Sequence, residues 1–240
     1  MSDEKVDHKK ANAQWETLVH TIKESGALVK TIEPISGLPD MVFTANCGFA
    51  LNGTFIISSM KYKERQQEST HFRRWFEKQS YQIVDLIPGV SYEGRGDTLL
   101  HGNTIIGGYG YRTDLLSLEI TAGSLGMNLI SLKLKDPRFY HLDTCFCKVS
   151  STAAIYYPEA FKEGEIKKLS GIIDLIPIEE SDARLFMCNS MLVNDTLLIP
   201  SRDSKIEKIL KNDLGIKTAV VDVSEFLKSG GSIQCLCLKI

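Results

Sequence analysis

Residues 41–60, MVFTANCGFALNGTFIISSM, decide the fold. Two apolar runs flank the pair Asn52-Gly53, which is strongly preferred at the centre of a two-residue hairpin turn. We therefore predict two antiparallel strands joined at this pair. The same pattern returns three times, in EGRGDTLL-HGN-TIIGGYG (93–110), DTCFCKVS-STA-AIYYP (143–158) and LFMCNSMLV-ND-TLLIPS (185–201).

A helix and a further strand follow each hairpin. Apolar residues at helical spacing mark five helices: Ala11, Trp15, Leu18, Val19 and Ile22; Phe72, Trp75 and Phe76; Leu115, Leu116 and Ile120; Ile166 and Leu169; Ile206, Ile209 and Leu210. The strands after them start near Ala27, Tyr81, Met127, Gly171 and Lys217, at separations of 54, 46, 44 and 46 residues. This period predicts repeated strand–strand–helix–strand units that share one core.

Four units are complete, and the fifth is divided between the two ends of the chain. SIQCLCLKI (232–240) supplies its first strand, and the N-terminal helix with ALVKTI (27–32) supplies its last two elements. Its second strand is missing, and residues before Met1 would be the natural place for it. We expect one domain over residues 1–240, although an open, irregular α/β domain remains an alternative.

Composition and charge exclude several classes of protein. The 240 residues carry a formal charge of −2, so the chain has no overall positive charge that would attract nucleic acid. No apolar run approaches the roughly 20 residues needed to cross a bilayer, and the opening MSDEKVDHKK is too charged for a secretory signal. Six cysteines without such a signal predict reduced thiols in a cytoplasmic protein with no membrane partner.

Neither a cofactor nor a metal ion is expected. The GRGD and GGYG stretches match neither a phosphate loop nor a dinucleotide fingerprint. Two C-x-C pairs together with His141 suggest zinc, but no C-x-x-C pair supports the usual structural pattern.

Polar residues recur on or next to the first strand of several units, and pseudo-symmetric units around an axis would bring them towards one centre. They are Asn46, Glu93, Asp97, His141, Asp143 and Cys235. A thiol, an imidazole and several carboxylates that meet in this way suit nucleophilic attack on a cationic carbon.

In such a reaction Cys235 would be the nucleophile, provided that a nearby cation lowers its pKa from the free value of about 8.5. A bound guanidinium would supply that cation, and Glu93 and Asp143 match its forked donors. His141 would protonate the leaving amine and then deprotonate the water. The other interpretation is structural: Cys235 is a small buried hydrophobe, His141 a satisfied strand-edge histidine, and Glu93 and Asp97 cap loops.

Six strings resemble those of the guanidino-group-modifying enzymes, the pentein superfamily, and appear in that family's order between residues 13 and 237. They are AQWETL, GLPDMVFTANCG, KERQQE, YEGRGD, HLDTCF and GGSIQC. The family contains arginine deiminases, dimethylarginine dimethylaminohydrolases, amidinotransferases and arginine dihydrolases, and the likeness is greatest to the branch with the dihydrolases. The resemblance implies a five-fold pseudosymmetric α/β propeller of ββαβ units, with the fifth unit lacking its N-terminal strand.

The resemblance also implies roles for individual residues. Cys235, His141 and Glu93 are expected to be catalytic. The expected substrate-binding residues, with Asp97 counted among them, are Asn46, Asp97, Asp143, Arg65 and Arg112. The two arginines match positions near the α-carboxylate of the substrate, although solvated surface arginines are an equal alternative. The chain departs from its relatives in two places: it lacks their opening strand with an Asn-Pro-Trp-Met-like end, and Cys237 replaces a common threonine.

We therefore expect a hydrolase of C–N bonds in linear amidines, which acts on the guanidino group of arginine or a methylated arginine through a covalent cysteine intermediate. Loss of one amine from arginine would yield citrulline, and loss of both would yield ornithine. Asn46 stands where deiminases more often have an aspartate, which favours ornithine. Two alternatives stay open, namely an amidinotransferase and a non-catalytic binding module. The expected partner is a small guanidino molecule, and a homo-oligomer is left open.

Overall fold

The computed structural model describes residues 5–202 and 204–240, so the expectation about Met1 lies outside the described residues. The helices in this part of the chain are α1 (His8–Glu24), α2 (Lys63–Gln66), α3 (Glu68–Lys78), α4 (Leu115–Leu125), α5 (Glu180–Arg184), α6 (Lys205–Asn212) and α7 (Ser224–Leu227). The strands are β1 (Gly48–Leu51), β2 (Thr54–Ile57), β3 (Gln82–Val84), β4 (Thr98–His101), β5 (Thr104–Tyr109), β6 (Asn128–Lys133), β7 (Phe146–Lys148), β8 (Ala153–Tyr156), β9 (Asp174–Pro177), β10 (Met191–Val193), β11 (Thr196–Ile199) and β12 (Lys217–Val220).

These strands form four three-stranded sheets, β1-β2-β3, β4-β5-β6, β7-β8-β9 and β10-β11-β12. In each sheet the second strand is central: it pairs antiparallel with the first and parallel with the third. At the first hairpin, Asn52 and Gly53 both have positive φ, at 48° and 76°. This is the backbone that an Asn-Gly hairpin turn requires, so the predicted hairpin is confirmed.

The chain divides into two compact units. The first contains the residues up to Thr31 together with Thr144–Pro158 and Ser170–Gln234. The second contains Ile32–Asp143, Glu159–Leu169 and Cys235–Ile240. The predicted candidate residues all belong to the second unit.

Both faces of the β1-β2-β3 sheet are buried in the second unit. Successive side chains of a strand point to opposite faces, and accordingly Phe55 and Ile56 of β2 belong to two different apolar clusters. The Phe55 ring stacks on Phe76 of α3, with ring centroids 3.6 Å apart. On the opposite face, Ile56 packs in a cluster with Tyr92 and Ile105.

In the first unit, α1 is held by a buried amide as well as by apolar contacts. The Gln14 side chain donates to Asp222 at 2.8 Å and to Ser224 at 2.9 Å, and it accepts from the Glu225 amide at 3.0 Å. Trp15, one of the apolar residues whose spacing predicted this helix, is 38% exposed. The polar Gln14 takes the inward position because its side-chain oxygen accepts from the Glu225 N–H, which lies in the first turn of α7 and has no partner within that helix.

Three elements of the sequence prediction are wrong. The fourth predicted helix is only a four-residue 3₁₀ turn, Ile166–Leu169. Neither 27–32 nor 232–240 forms a strand. In the four complete sheets the central strand bonds both neighbours, and the described residues contain no central strand for a fifth sheet. Leu28, in the first of these two segments, is 99% exposed.

Within the described residues, no helix is long and apolar enough to cross a membrane.

Candidate active site

Five of the eight candidate residues lie in or next to short 3₁₀ turns that precede strands, not within the strands themselves. Asn46 belongs to the turn Thr44–Cys47. Glu93 and Asp97 flank the turn Gly94–Gly96. His141 and Asp143 lie at a third turn. Such turns allow neighbouring side chains to leave the backbone in different directions, which the strict alternation of a strand does not.

His141 is buried between two carboxylates. Its Nδ1 lies 2.8 Å from Asp97 Oδ2, and its Nε2 lies 3.1 Å from Glu93 Oε2. Burial alone would lower the pKa of His141, but the charges and hydrogen bonds of Asp97 and Glu93 outweigh it and raise the pKa to about 10. At neutral pH the imidazole is therefore a cation with both ring nitrogens donating.

Asp97 is itself fixed by two further donors. The Thr113 hydroxyl donates to Asp97 Oδ2 at 2.7 Å, and the Leu142 amide donates to Asp97 Oδ1 at 2.9 Å. With both oxygens engaged, the carboxylate is held against His141 Nδ1 in one orientation.

Glu93 already binds one guanidinium group, that of Arg112. Arg112 Nη1 lies 3.0 and 3.3 Å from the two Glu93 oxygens, and its guanidinium sits over the rings of Tyr62 and Tyr140 at 4.5 and 4.6 Å. Burial would raise the pKa of Glu93, but His141, Arg112 and Arg65 lower it to about 2. The carboxylate is therefore ionised and suited to a planar cation.

Asn46 links His141 to a second buried ion pair. Asn46 Nδ2 lies 3.3 Å from His141 Nε2, and Asn46 Oδ1 accepts from Arg65 Nη1 at 2.9 Å. Arg65 in turn forms a forked pair with Glu68, with Nε at 3.0 Å and Nη2 at 2.9 Å from the carboxylate oxygens. Arg65 is therefore a buried residue, in contrast to the solvated-arginine alternative.

The Cys235 thiol is buried and lies 3.6 Å from Asp143 Oδ2. Its backbone carbonyl accepts from the Ala45 amide at 3.1 Å, which anchors the end of the chain beside the Asn46 turn. Tyr140 lies close enough to Cys235 and Asp143 to interact with both electrostatically, and its ring also contacts the Arg112 guanidinium. Burial raises the pKa of Tyr140 to about 12, and Cys235, Asp143 and Glu93 add to that rise.

Other cysteines have thiols that remain neutral. Burial raises the pKa of Cys47 and Cys188 well above the ordinary thiol value, and it raises the pKa of Cys237 to about 12. A protonated thiol is a poor nucleophile. These three cysteines are therefore suited to a structural role and not to nucleophilic attack.

Two glycines of the EGRGD stretch make room for the site. Gly94 has φ +56°, and a Cβ there would lie 2.4 Å from the Gly48 carbonyl oxygen. A Cβ on Gly96 would lie 2.5 Å from Asn46 Nδ2 and 3.2 Å from His141 Nδ1. Neither position has space for a side chain, because backbone and polar groups approach closely there.

The structure brings the eight predicted residues into one compact unit. Sequence reasoning missed four residues that contact them: Tyr62, Glu68, Thr113 and Tyr140. Two of these had a usable signal. Glu68 follows Arg65 at i,i+3 spacing inside KERQQE, and Tyr140 directly precedes His141. Nothing in the sequence pairs Thr113 with Asp97.

Among the described residues, no group of three or more His, Cys, Asp or Glu side chains is arranged to hold a metal ion. What the arrangement does provide is a thiol beside a carboxylate, an imidazolium able to donate a proton, and a carboxylate that binds a guanidinium. Together they suit attack on a guanidinium carbon followed by protonation of the leaving amine.

Comparison with known proteins supports this chemistry. The model of the eukaryotic N,N dimethylarginine dimethylhydrolase family matches residues 1–240. The N(G),N(G)-dimethylarginine dimethylaminohydrolase of Mycobacterium tuberculosis is 38% identical, over 98% of this chain and 77% of the relative. The bifunctional arginine dihydrolase/ornithine cyclodeaminase ArgZ of Synechocystis is also 38% identical, over 98% of this chain. The chain spans only 34% of the length of ArgZ.

A solved structure shows the same fold. The N-terminal domain of ArgZ, covalently bonded to a reaction intermediate, has a TM-score of 0.93 and 38% identity, over 97% of this chain and 87% of that one. The predicted fold class, the pentein α/β fold of repeated ββαβ units, is thereby confirmed.

Proposed function

Because the chain belongs to the dimethylarginine dimethylhydrolase family, whose members cleave amidines, we propose that it hydrolyses a guanidino C–N bond of arginine or a methylated arginine. One observation carries the proposal: the Cys235 thiol lies 3.6 Å from Asp143, in the same buried unit as the His141 imidazolium and the Glu93 carboxylate. A guanidinium held by Glu93 and Asp143 presents its central carbon to a thiol nearby.

In the first half of the reaction, the bound guanidinium cation favours the thiolate form of Cys235, and the thiol proton passes to solvent. The thiolate sulfur then attacks the guanidinium carbon and forms a C–S bond. The C–N bond to one amine then breaks, and His141 Nε2 supplies the proton with which ammonia, or dimethylamine from dimethylarginine, departs. The loss of the proton leaves His141 neutral, with Nδ1–H still donating to Asp97. The enzyme now carries the amidino carbon on sulfur.

In the second half, the neutral His141 takes a proton from water, whose oxygen attacks the same carbon. Breaking the C–S bond returns the thiolate and gives citrulline. If a second amine is lost as well, the overall balance is arginine and two waters to ornithine, two ammonia and carbon dioxide. Asn46 favours this second outcome, because its amide stands where deiminases more often have a carboxylate.

The test is to incubate the chain with L-arginine and, separately, with dimethylarginine, and to quantify citrulline, ornithine, ammonia and dimethylamine. Cys235→Ser should abolish all turnover, because a neutral hydroxyl is a far weaker nucleophile than a thiolate. Cys147→Ser is the matched control, since Cys147 Sγ donates to the Ser190 carbonyl at 3.2 Å and a hydroxyl can do the same. Full activity in Cys235→Ser would reject the nucleophile assignment.

The same assay separates the remaining alternatives. Addition of glycine or another amine would yield a new guanidino product if the chain were an amidinotransferase. If Cys235 is alkylated no faster than the other thiols, with or without arginine, the chain would be a binding module. Size-exclusion chromatography of the active preparation measures the oligomeric state, which the sequence leaves open.

A further inference from the structure

Glu68 is a buried carboxylate on α3 that the proposed reaction does not use. We propose that Glu68 is a positioning residue: through Arg65 it fixes the orientation of the Asn46 amide, and that orientation controls proton donation by His141. The inference deepens the proposed function and rests on it for the role of His141.

The first step is the hold of Glu68 on Arg65. Arg65 Nε lies 3.0 Å from Glu68 Oε1, and Nη2 lies 2.9 Å from Oε2, so the pair is forked. Nη2 also donates to the Asp40 carbonyl at 3.1 Å. Both side chains are buried. A forked pair of this kind fixes the plane of a guanidinium as well as its position.

The second step is the effect on Asn46. With its plane fixed, Arg65 directs Nη1 at Asn46 Oδ1, 2.9 Å away. A guanidinium has only donors, so the atom that faces it must be the amide oxygen. The NH₂ group of Asn46 therefore faces His141 Nε2 at 3.3 Å.

The third step is the consequence for the proton. While His141 is an imidazolium, its Nε2–H donates to Glu93, and the Asn46 NH₂ gains nothing from it. Once the proton has gone to the leaving amine, the bare Nε2 can accept from Asn46. The amide therefore stabilises the form of His141 that has given up its proton. A flipped amide would present its oxygen instead, accept from Nε2–H and keep the proton on His141.

The experiment is a double-mutant cycle on kcat with Glu68→Gln, Asn46→Ala and the double variant. Glu68→Gln should lower kcat about 10- to 100-fold, the range that a misplaced catalytic group produces. KM should change less than kcat, because Glu68 does not itself contact the substrate and acts through Arg65 on the Asn46 amide. In the Asn46→Ala background the same substitution should change kcat by less than about threefold, because no amide is left to orient.

A structural role would give a different pattern. If Glu68 only stabilised the fold, Glu68→Gln would lower kcat by the same factor with and without Asn46, which would overturn the proposal. Glu225→Gln is the control for loss of a buried carboxylate: Glu225 pairs with Lys10 and Lys228 in the other compact unit and should leave kcat unchanged. If Glu68→Gln does not fold, Glu68→Asp replaces it in the cycle, because aspartate keeps the charge but is too short for the forked pair. The same loss of kcat is expected.

A measurement without substrate separates this proposal from the proposed function. In asparagine-labelled protein, the Asn46 side-chain NH₂ signal is identified by its loss in Asn46→Ala. Glu68→Gln should shift that signal and speed its exchange with solvent, even if arginine proves to be the wrong substrate. An unchanged signal in Glu68→Gln would refute the positioning role.

Discussion

Replacing Asp97 with asparagine removes one of the two carboxylates that keep His141 charged. The Leu142 amide needs an acceptor, so the new amide oxygen should stay at the Oδ1 position, 2.9 Å from that nitrogen. The new NH₂ then faces His141 Nδ1, which can approach it only as an acceptor. Loss of the charge and the reversed hydrogen bond both favour neutral imidazole, so the pKa of His141 should fall.

The size of the fall follows from the geometry. The rise in the pKa of His141 from 6.5 to about 10 corresponds to about 5 kcal/mol in favour of the imidazolium. One opposite charge at contact distance contributes about one to three pH units, so Asp97→Asn should bring the pKa to about 8. At pH 9 the protonated fraction would drop from about nine-tenths to about one-tenth, a tenfold loss. At pH 7 the protonated fraction would hardly change.

The assay is kcat/KM for L-arginine between pH 6 and 10, in which the alkaline limb reports the acid in the free enzyme. Asp85→Asn is the control, because Asp85 pairs with Arg73 at the surface and does not contact His141. Thermal unfolding gives a second readout. Since the folded pKa of His141 lies above its ordinary value, the stability it contributes is complete below pH 6.5 and is lost as pH rises through about 10. An alkaline limb that stays in place in Asp97→Asn would refute this account.

Further predictions concern the glycines and Arg112. Gly94→Ala should lower the melting temperature by roughly 5–10 °C, because strain at positive φ and the clash with the Gly48 carbonyl together cost about 2–4 kcal/mol; equal melting temperatures would contradict the close approach. Gly123→Ala, in α4 with open space around it, should raise the melting temperature by about 1–3 °C. Arg112→Gln should raise the pKa of Glu93 and move the acid limb of kcat/KM upward by about one pH unit, and an unmoved limb would exclude this pairing.

The repeated hairpins were predictable because their signals are local. The Asn52-Gly53 pair needs positive φ at both residues, and few other residue pairs meet that need. The absent strand at 27–32 was not predictable from its own apolar pattern. A strand exists only with a partner, and the partner in this fold is the central strand of its sheet.

The site was predictable as a set of residue types but not as a set of contacts. Cys235 and His141 were identifiable because few side chains can act as nucleophile or proton donor. The forked pair of Arg65 with Glu68 depends on α2 and α3 being separated by a single residue, Gln67. The position of Arg112 between two tyrosine rings depends on loops that share no sequence pattern.

The charged side chains of the site do not balance by themselves. Three side chains are positive and four are formally negative, namely Arg65, Arg112 and His141 against Glu68, Glu93, Asp97 and Asp143. A guanidinium substrate brings the missing positive charge and makes the pocket electroneutral. The urea group of citrulline is uncharged, so the site again carries one excess negative charge once citrulline has formed. The pocket should therefore bind its substrate more tightly than citrulline, and the reaction itself should lower the affinity for the bound molecule.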